Sequence, residues 1–331
     1  PLQVKNLTDS LDIEVTDRTD LILRIFEQRA KSKEAKLQVE IAKGQYLLPR
    51  LAGMKEHLYS QQGGSGFRGS GEKQIELDRR IIANQIYQAK SQLAKIVKQR
   101  QTQRKKRKNN EMKVIALVGY TNSGKSTLMN AFCNDKNKQV LQKNMLFATL
   151  QTATRNIKIN HHSCLLTDTV GFIDRLPHHL VQAFRSTLEE VIEADLLIHV
   201  VDTANENYET CIETTNQVLK ELGVKDTPMI YAYNKIDLNK YAFIIPNDPY
   251  VFISAKEQIG FEQLEKMISS ILFKDYAIYN LNIPYRDGEI FSYLHQHCLV
   301  LEFEYLEDSI YLKVEMHPSM ISRYSKYILK N

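Results

Sequence analysis

Eight consecutive residues, Gly119-Tyr120-Thr121-Asn122-Ser123-Gly124-Lys125-Ser126, have the spacing of a loop that wraps a phosphate. Glycines let the backbone approach an anion closely, and amides at a helix start point at it. In that chemistry Lys125 reaches the β- and γ-phosphates of a nucleoside triphosphate, the Ser126 hydroxyl ligates Mg²⁺, and Thr127 adds a nucleotide contact. An ordinary glycine turn would need neither of its flanks. The apolar run Lys113–Val118 before it reads as a buried strand, and Ser126–Phe132 after it reads as a helix.

Four further stretches follow in the order a GTPase requires. Asp168-Thr169-Val170-Gly171 comes after the strand-like Cys164–Thr167. Asp168 would hold Mg²⁺ through water, and the Gly171 amide would meet the γ-phosphate. Asn234-Lys235-Ile236-Asp237 follows the strand-like Met229–Tyr233. The Asp237 carboxylate would accept from guanine N1 and the 2-amino group. Adenine offers no such pair, so a buried carboxylate left unsatisfied would reject ATP. Ser254-Ala255-Lys256 follows Tyr250–Ile253 and would set a backbone amide on guanine O6. Phe147–Arg155 is the expected first switch. Phe147 and Thr149 are its expected nucleotide contacts, and Thr149 is the expected Mg²⁺ ligand, with Thr152 and Thr154 as alternatives.

Each short motif alone is weak, but all five in order, each at a strand end, are specific. They imply GTP and GDP as ligands, Mg²⁺ as cofactor, and hydrolysis resting on Lys125, Thr149 and Gly171. Phe172 stands where Ras-like proteins carry the glutamine that orients the attacking water. A phenyl ring cannot polarise water, so hydrolysis is expected to be slow alone and faster when a partner orders the switches or supplies the missing group. Asp174, Arg175 and His178 read as solvated switch residues.

The elements that carry this site sit in a chain of 331 residues, 43% hydrophobic and 25% charged, the balance of a globular protein with two or three domains. No run of about 18 apolar residues is present to span a membrane. Cys133, Cys164, Cys211 and Cys298 are scattered, which suits neither a disulfide scaffold nor a zinc site and favours a reducing cytoplasm. The net charge of +5 matters through its distribution. The start at Pro1 rather than Met suggests that a native N-terminal portion lies outside this sequence.

A possible strand lies around Leu11 to Val15. From Thr19 to about Tyr59 the pattern is helical, with Leu37, Ile41, Leu48, Leu51 and Leu58 on one face. Gln61 to Gly71 is too glycine-rich for a helix or strand. From Glu72 to about Gln103, Ile75, Ile82, Ile86, Ala89, Leu93 and Ile96 form a heptad seam, so two arms should pair as an antiparallel helical hairpin. Its tip matches G-x-G-x-x-G at Gly64–Gly69 but lacks the strand a dinucleotide fold needs. A flexible turn and a contact loop are equally good readings of the tip. Phe67, Arg68, Lys73, Arg79 and Arg80 favour contact with RNA, whose bases stack and whose phosphates attract guanidinium. Lys98–Lys108 has basic residues and no acidic one, and reads as a linker that touches phosphate. After Asn280, a helix over Gly288–His297, a hairpin of Leu299–Tyr305 with Ser309–Glu315, and a helix after Pro318 are expected. His295, His297 and Cys298 read as core residues rather than a metal site.

With these parts placed, the chain resembles the HflX family of translation-associated GTPases from about Val15 onward. Beyond the GTPase motifs, the resemblance rests on Asp17-Arg18-Thr19, Lys36–Glu40, the tip Gly63–Gly71 with Glu72, Glu76 and Asp78-Arg79-Arg80, Leu146–Leu150, and Asp168–Ile173 with Leu176-Pro177-His178. The family's usual L-D-P-T-T-R reads Leu150–Arg155 with Gln151 and Ala153 here, and its R-G-P-G-E reads Arg68-Gly69-Ser70-Gly71-Glu72. The resemblance implies a factor that binds the large ribosomal subunit and its rRNA and splits stalled or idle ribosomes when loaded with GTP; a cytoplasmic monomer is expected. The expected architecture is α/β. A P-loop GTPase domain over 109–276 follows an α-helical hairpin subdomain over 19–108, with its tip at 60–71, and precedes a small α+β domain over 277–331. Residues 1–18 would be the remnant of an N-terminal α/β subdomain. Two other readings stay open. One is an RNA-remodelling enzyme with a second ATP site in the hairpin, against which the lack of a second phosphate loop counts. The other is a signalling switch read by a protein effector with no RNA role.

Overall fold

The chain enters through three helices, the second and third of which are each started by a single capping side chain. The computed structural model describes residues 2–51, 68–109, 112–133, 152–160, 162–174, 180, 185–238 and 244–329. Helix α1 (Leu2–Leu11) occupies the N-terminus, and the strand expected around Leu11 to Val15 does not form. The alternation of Leu11, Ile13 and Val15 suits a strand, but none among the described residues runs beside it to take its backbone bonds, and Ile13 is 60% exposed. Asp17 caps α2 (Arg18–Arg29) by accepting the Asp20 amide at 2.9 Å. Ala30 then turns extended, and Ser32 caps α3 (Lys33–Leu47) by accepting the Ala35 amide. The first arm, expected as one helix, is therefore two, because a capping hydroxyl competes with continuation.

Helix α4 (Arg68–Asn109) is 42 residues, about 63 Å at 1.5 Å per residue. It starts at Arg68 rather than Glu72 and continues through the basic stretch that the sequence suggested was a linker. Lys, Arg and Gln are strong helix formers, and a helix already formed lengthens without a new nucleus. Leu37 and Ile41 of α3 pack on Ile86 and Ala89 of α4, with Ile82, Leu93 and Ile96 alongside. A Cβ on Gly44 would lie 2.7 Å from the Ile86 Cγ1, so the helices pass closely. Glu34, near the start of α3, bonds Arg100, near the end of α4, at 2.6 Å, which makes the pair antiparallel.

Three residues beyond α4 the central sheet begins. Its strands are β1 (Lys113–Val118), β2 (Ala153–Ile159), β3 (His162–Asp168), β4 (Leu196–Asp202), β5 (Met229–Asn234) and β6 (Tyr250–Phe252). The order is β2-β3-β1-β4-β5-β6, parallel except for β2, which runs antiparallel to β3. Helices α5 (Lys125–Phe132) and α8 (Phe261–Leu272) close one face around Ile115, Leu117, Leu166 and Ile198. Helices α6 (Arg185–Ile192) and α7 (Tyr208–Leu222) close the other around Ala116, Val118 and Leu197. This is a doubly wound sheet, whose ligand cleft lies at the strand C-termini near β1, where chain order reverses.

A second sheet follows, with strands β7 (Ala277–Pro284), β8 (Leu299–Tyr305) and β9 (Ser309–Met316), packed by α9 (Gly288–His297) and α10 (Pro318–Tyr324). Strand β9 is central, pairs antiparallel with both neighbours, and buries every second residue. Among the described residues, no helix is long and apolar enough to cross a membrane.

Candidate functional site

The loop after β1 adopts backbone angles that its glycines permit. Gly119 and Gly124 have φ of +143° and +98°. A Cβ would lie 2.4 Å from the Val200 carbonyl oxygen at the first and 2.1 Å from the Asn234 Nδ2 at the second. Asn122 also sits at positive φ, which asparagine tolerates. Lys125, buried at the start of α5, donates to the carbonyls of Gly119 (3.1 Å) and Tyr120 (2.8 Å). Burial pushes its pKa down to about 8, with the Asp168 charge opposing. The Thr121 and Ser123 hydroxyl oxygens are buried without a hydrogen-bond partner among the described residues, the condition of groups built to meet a ligand's oxygens. Thr127 follows on α5.

At the end of β3, Asp168 Oδ2 accepts the Ser126 hydroxyl at 2.6 Å, bringing together two oxygen ligands that suit a hard divalent cation. Gly171 lies against the same space, where a Cβ would stand 3.0 Å from the Lys125 Nζ and 2.8 Å from the Thr121 Cα. Phe172 is 2% exposed and points into the core with Val118, Leu188 and Val191. Its amide donates to Gly119 and its carbonyl accepts from Thr121, so it fastens this segment to the phosphate loop. Phe147 and Thr149 lie outside the described residues, as do Arg175 and His178. Of the alternatives to Thr149, Thr154 lies in β2 with its hydroxyl 3.1 Å from that of Thr167. Thr152 directly precedes that strand.

The base end of the cleft is organised by Asn234 at the tip of β5. Its Nδ2 donates to the Ser123 carbonyl and its Oδ1 accepts the Ala255 amide, both at 2.8 Å, so one amide joins the phosphate loop to the loop after β6. Lys235, at φ +69°, donates to Asp202 at 2.6 Å. Asp237 Oδ1 accepts the Ser254 hydroxyl at 2.6 Å, which orients the carboxylate. Lys256 is exposed and pairs with Glu257. Asp202 and Thr203 escaped the sequence reading. Thr203 donates through both its amide and its hydroxyl to the Asn234 carbonyl. The available signal was the apolar run Leu196–Val201 ending in Asp202, the same strand-then-polar grammar as at Asp168.

The helical arm meets this site directly. Ile22, Leu23 and Phe26 of α2 and Val39, Ala42 and Tyr46 of α3 share one buried cluster with Val170, Ile173 and Leu180. Asp174 is held from both sides, its amide donating to the Tyr120 hydroxyl at 3.0 Å and its carbonyl accepting from Arg18 at 2.5 Å. Asp17 accepts the Tyr46 hydroxyl and Arg50, fixing α2 on α3. Of the expected RNA contacts, Arg79 and Arg80 are exposed on α4, Arg80 paired with Glu76 at 2.6 Å. Arg68 and Lys73 have helical backbones but side chains outside the described residues, and Phe67 lies outside them altogether.

Residues 29–107 match a family described as GTP-binding GTPase Middle Region, and residues 114–235 match one described as 50S ribosome-binding GTPase. GTPase HflX of Caldanaerobacter subterraneus subsp. tengcongensis is 43% identical over 330 residues, covering 99% of this chain and 76% of that protein. GTPase HflX of Escherichia coli is 40% identical over 325 residues, covering 96% and 75%. A GTP-binding protein from Sulfolobus solfataricus, solved in complex with GDP, is 27% identical, covers 78% of this chain and 73% of that one, and has a TM-score of 0.47.

Proposed function

The chain belongs to the HflX family of GTPases, and from that premise we propose that it binds the large ribosomal subunit in its GTP state and splits stalled or idle ribosomes. It binds guanine nucleotide and hydrolyses GTP. In our reading Gly119–Thr127 cradles the phosphates, while Asp237 accepts from guanine and a backbone amide of Ser254-Ala255-Lys256 faces its O6. Lys125 would leave the Gly119 and Tyr120 carbonyls for the phosphate oxygens, exchanging neutral acceptors for charged ones. Ser126 and Asp168, with Thr149, would hold a Mg²⁺ ion, which neutralises charge developing on the phosphates. The Gly171 amide would receive the γ-phosphate. Phe172, turned into the core, gives no group to orient water, so we expect hydrolysis to depend on a partner.

The observation that supports switching is the cluster in which Val170 and Ile173, on either side of Gly171 and Phe172, pack against α2 and α3. Movement of the Gly171 backbone toward or away from a γ-phosphate would be felt by the arm through these side chains. The arm's exposed basic face, carrying Arg79 and Arg80, and the tip with Phe67, Arg68 and Lys73 would then meet rRNA. The test is cosedimentation with large subunits in GTP, GDP and a non-hydrolysable analogue, followed by the loss of intact ribosomes. We expect retention with the analogue, release with GDP and splitting with GTP. Equal retention in all three states, or retention abolished by unrelated RNA, would sink the reading.

A further inference from the structure

At the end of the sheet opposite the nucleotide cleft, the N-terminal ends of β1 and β3 meet α9 and α10 of the second sheet's domain. The junction encloses a cavity of about 320 Å³, within the range of small-molecule sites. Six residues of β1 at roughly 3.3 Å each separate Lys113 at its edge from Gly119, so it is about 20 Å from the phosphate loop along the sheet. Three permanent cations line it, Lys113, Lys158 and Arg323, and no Asp or Glu does. Of the acids around it, Asp195 lies 3.9 Å from Lys113, Glu315 lies 3.2 Å from His162, and Asp275 is exposed in the turn between Phe273 and Tyr276. Of the other acids of that domain, Glu302, Glu304, Glu307 and Asp308 sit on β8 and the turn after it, and Asp287 and Glu289 sit at the start of α9, away from its Tyr293–His297 end that lines the cavity.

The walls also hold flat rings in two ready-made stacks. His162 lies on Phe273 with centroids 4.2 Å apart and planes at 22°. Tyr293 lies on His297 at 4.3 Å and 17°. Asn156 and Gln296 add amides that can both donate and accept. Stacking surfaces, cations and adaptable amides in one concave site are the recognition set for a base joined to a phosphate. An apolar ligand would give Lys158 and Arg323 no charge to pair with, and a cationic ligand would be repelled.

We propose that this cavity binds a nucleoside phosphate, as a free nucleotide or as one residue of a single-stranded RNA. The inference does not depend on a ribosomal partner, since it rests on the lining alone. It is tested on the full chain with GDP saturating the other site. The probes are AMP, by calorimetry, and a uridine hexanucleotide carrying one 4-thiouridine, by anisotropy and photocrosslinking. For the parent we expect hexanucleotide binding with crosslinks in residues 273–299. Arg323→Ala and Lys158→Ala, both at exposed positions, should weaken binding and lower the salt slope by nearly one charge each. Tyr293→Ala should weaken it about tenfold, whereas Tyr293→Phe, which keeps the ring, should not. AMP binding with the same dependences identifies a free nucleotide; hexanucleotide binding alone identifies an RNA strand. Crosslinks confined to residues 68–109, or Arg323→Ala and Lys158→Ala proteins that hold GDP and bind both probes like the parent, overturn the site. Large-subunit cosedimentation of the parent reports separately on the ribosomal reading, so one can fail while the other stands.

Discussion

The Tyr120 side chain reaches out of the phosphate loop to take the Asp174 amide. With Arg18 on the Asp174 carbonyl, both backbone groups of a residue three places after Gly171 are held by side chains from other parts of the chain. These two are positioning residues for the Gly171 segment. Tyr120→Phe and Arg18→Ala should therefore lower kcat for GTP several-fold while KM stays within about twofold, since neither removes a phosphate-loop backbone donor. A KM that rises with kcat unchanged would show that they serve binding instead. His199, buried mid-strand on β4 beneath the loop, has its pKa driven down to about 3, first by burial and then by the Lys125 charge. The folded protein holds the ring neutral, whereas the unfolded chain takes up a proton near pH 6.5. Stability from this residue is thus full above that pH and falls as the solution is acidified toward 3, by at most about 1.4 kcal/mol per pH unit. Urea melts from pH 7 to 4 should show His199→Phe losing less stability than the parent, and parallel curves would refute the assignment.

Among the elements, the arm is where charge and packing cooperate. Glu34 is only 6% exposed in its side chain, and Arg100 is its ion-pair partner. Arg100→Ala would remove a cation bonded to that buried carboxylate, at a cost of roughly 1–3 kcal/mol given the partial exposure of Arg100. An early, separate transition of the α3–α4 pair should appear in hydrogen exchange, with GDP binding intact, and uniform exchange across the molecule would contradict this. The elements also differ in how readable they are. Strands β1, β5 and β6 were legible because each is a short apolar run cut off by a motif. The expected switch overlaps only Ala153–Arg155 of strand β2, whose polar Thr154-Arg155-Asn156 hides a strand that buries just Ile157 and Ile159. Strand β7 lacks an apolar run to announce it, its two asparagines and proline lying where β9 bonds one side and only a short bridge to Ile328 and Leu329 the other. The seam between α3 and α4 was plain from heptad spacing, but the break at Ser32 depends on a capping bond that spacing does not reveal. At the site, the phosphate loop and Asp237 announced themselves by residue type. Asn234's bridging role, the support from Thr203 and the inward turn of Phe172 are tertiary facts, set by which strands become neighbours.

For the molecule as a whole, the nucleotide cleft and the arm share a core, so their free energies are linked and the linkage must run both ways. Phe26 is 1% exposed within the shared cluster. Phe26→Leu should keep the fold at a cost of about 1–2 kcal/mol, and Phe26→Ala should cost about 3–5 kcal/mol. Both should narrow the difference between GTP- and GDP-bound arm affinity for RNA or large subunits while GDP affinity stays within about threefold. An unchanged difference would show that the cluster glues without transmitting.

Helix α4 ends at Asn109 and β1 begins at Lys113, so only three residues of chain join the arm to the sheet. A rigid rod rooted in that way is a lever. Tilting about 63 Å of helix by about 10° at Asn109 would sweep its Arg68 end through roughly 11 Å, the width of another helix. An ångström-scale adjustment beside a phosphate can in this way become a displacement large enough to wedge apart two surfaces far from the bond being cut.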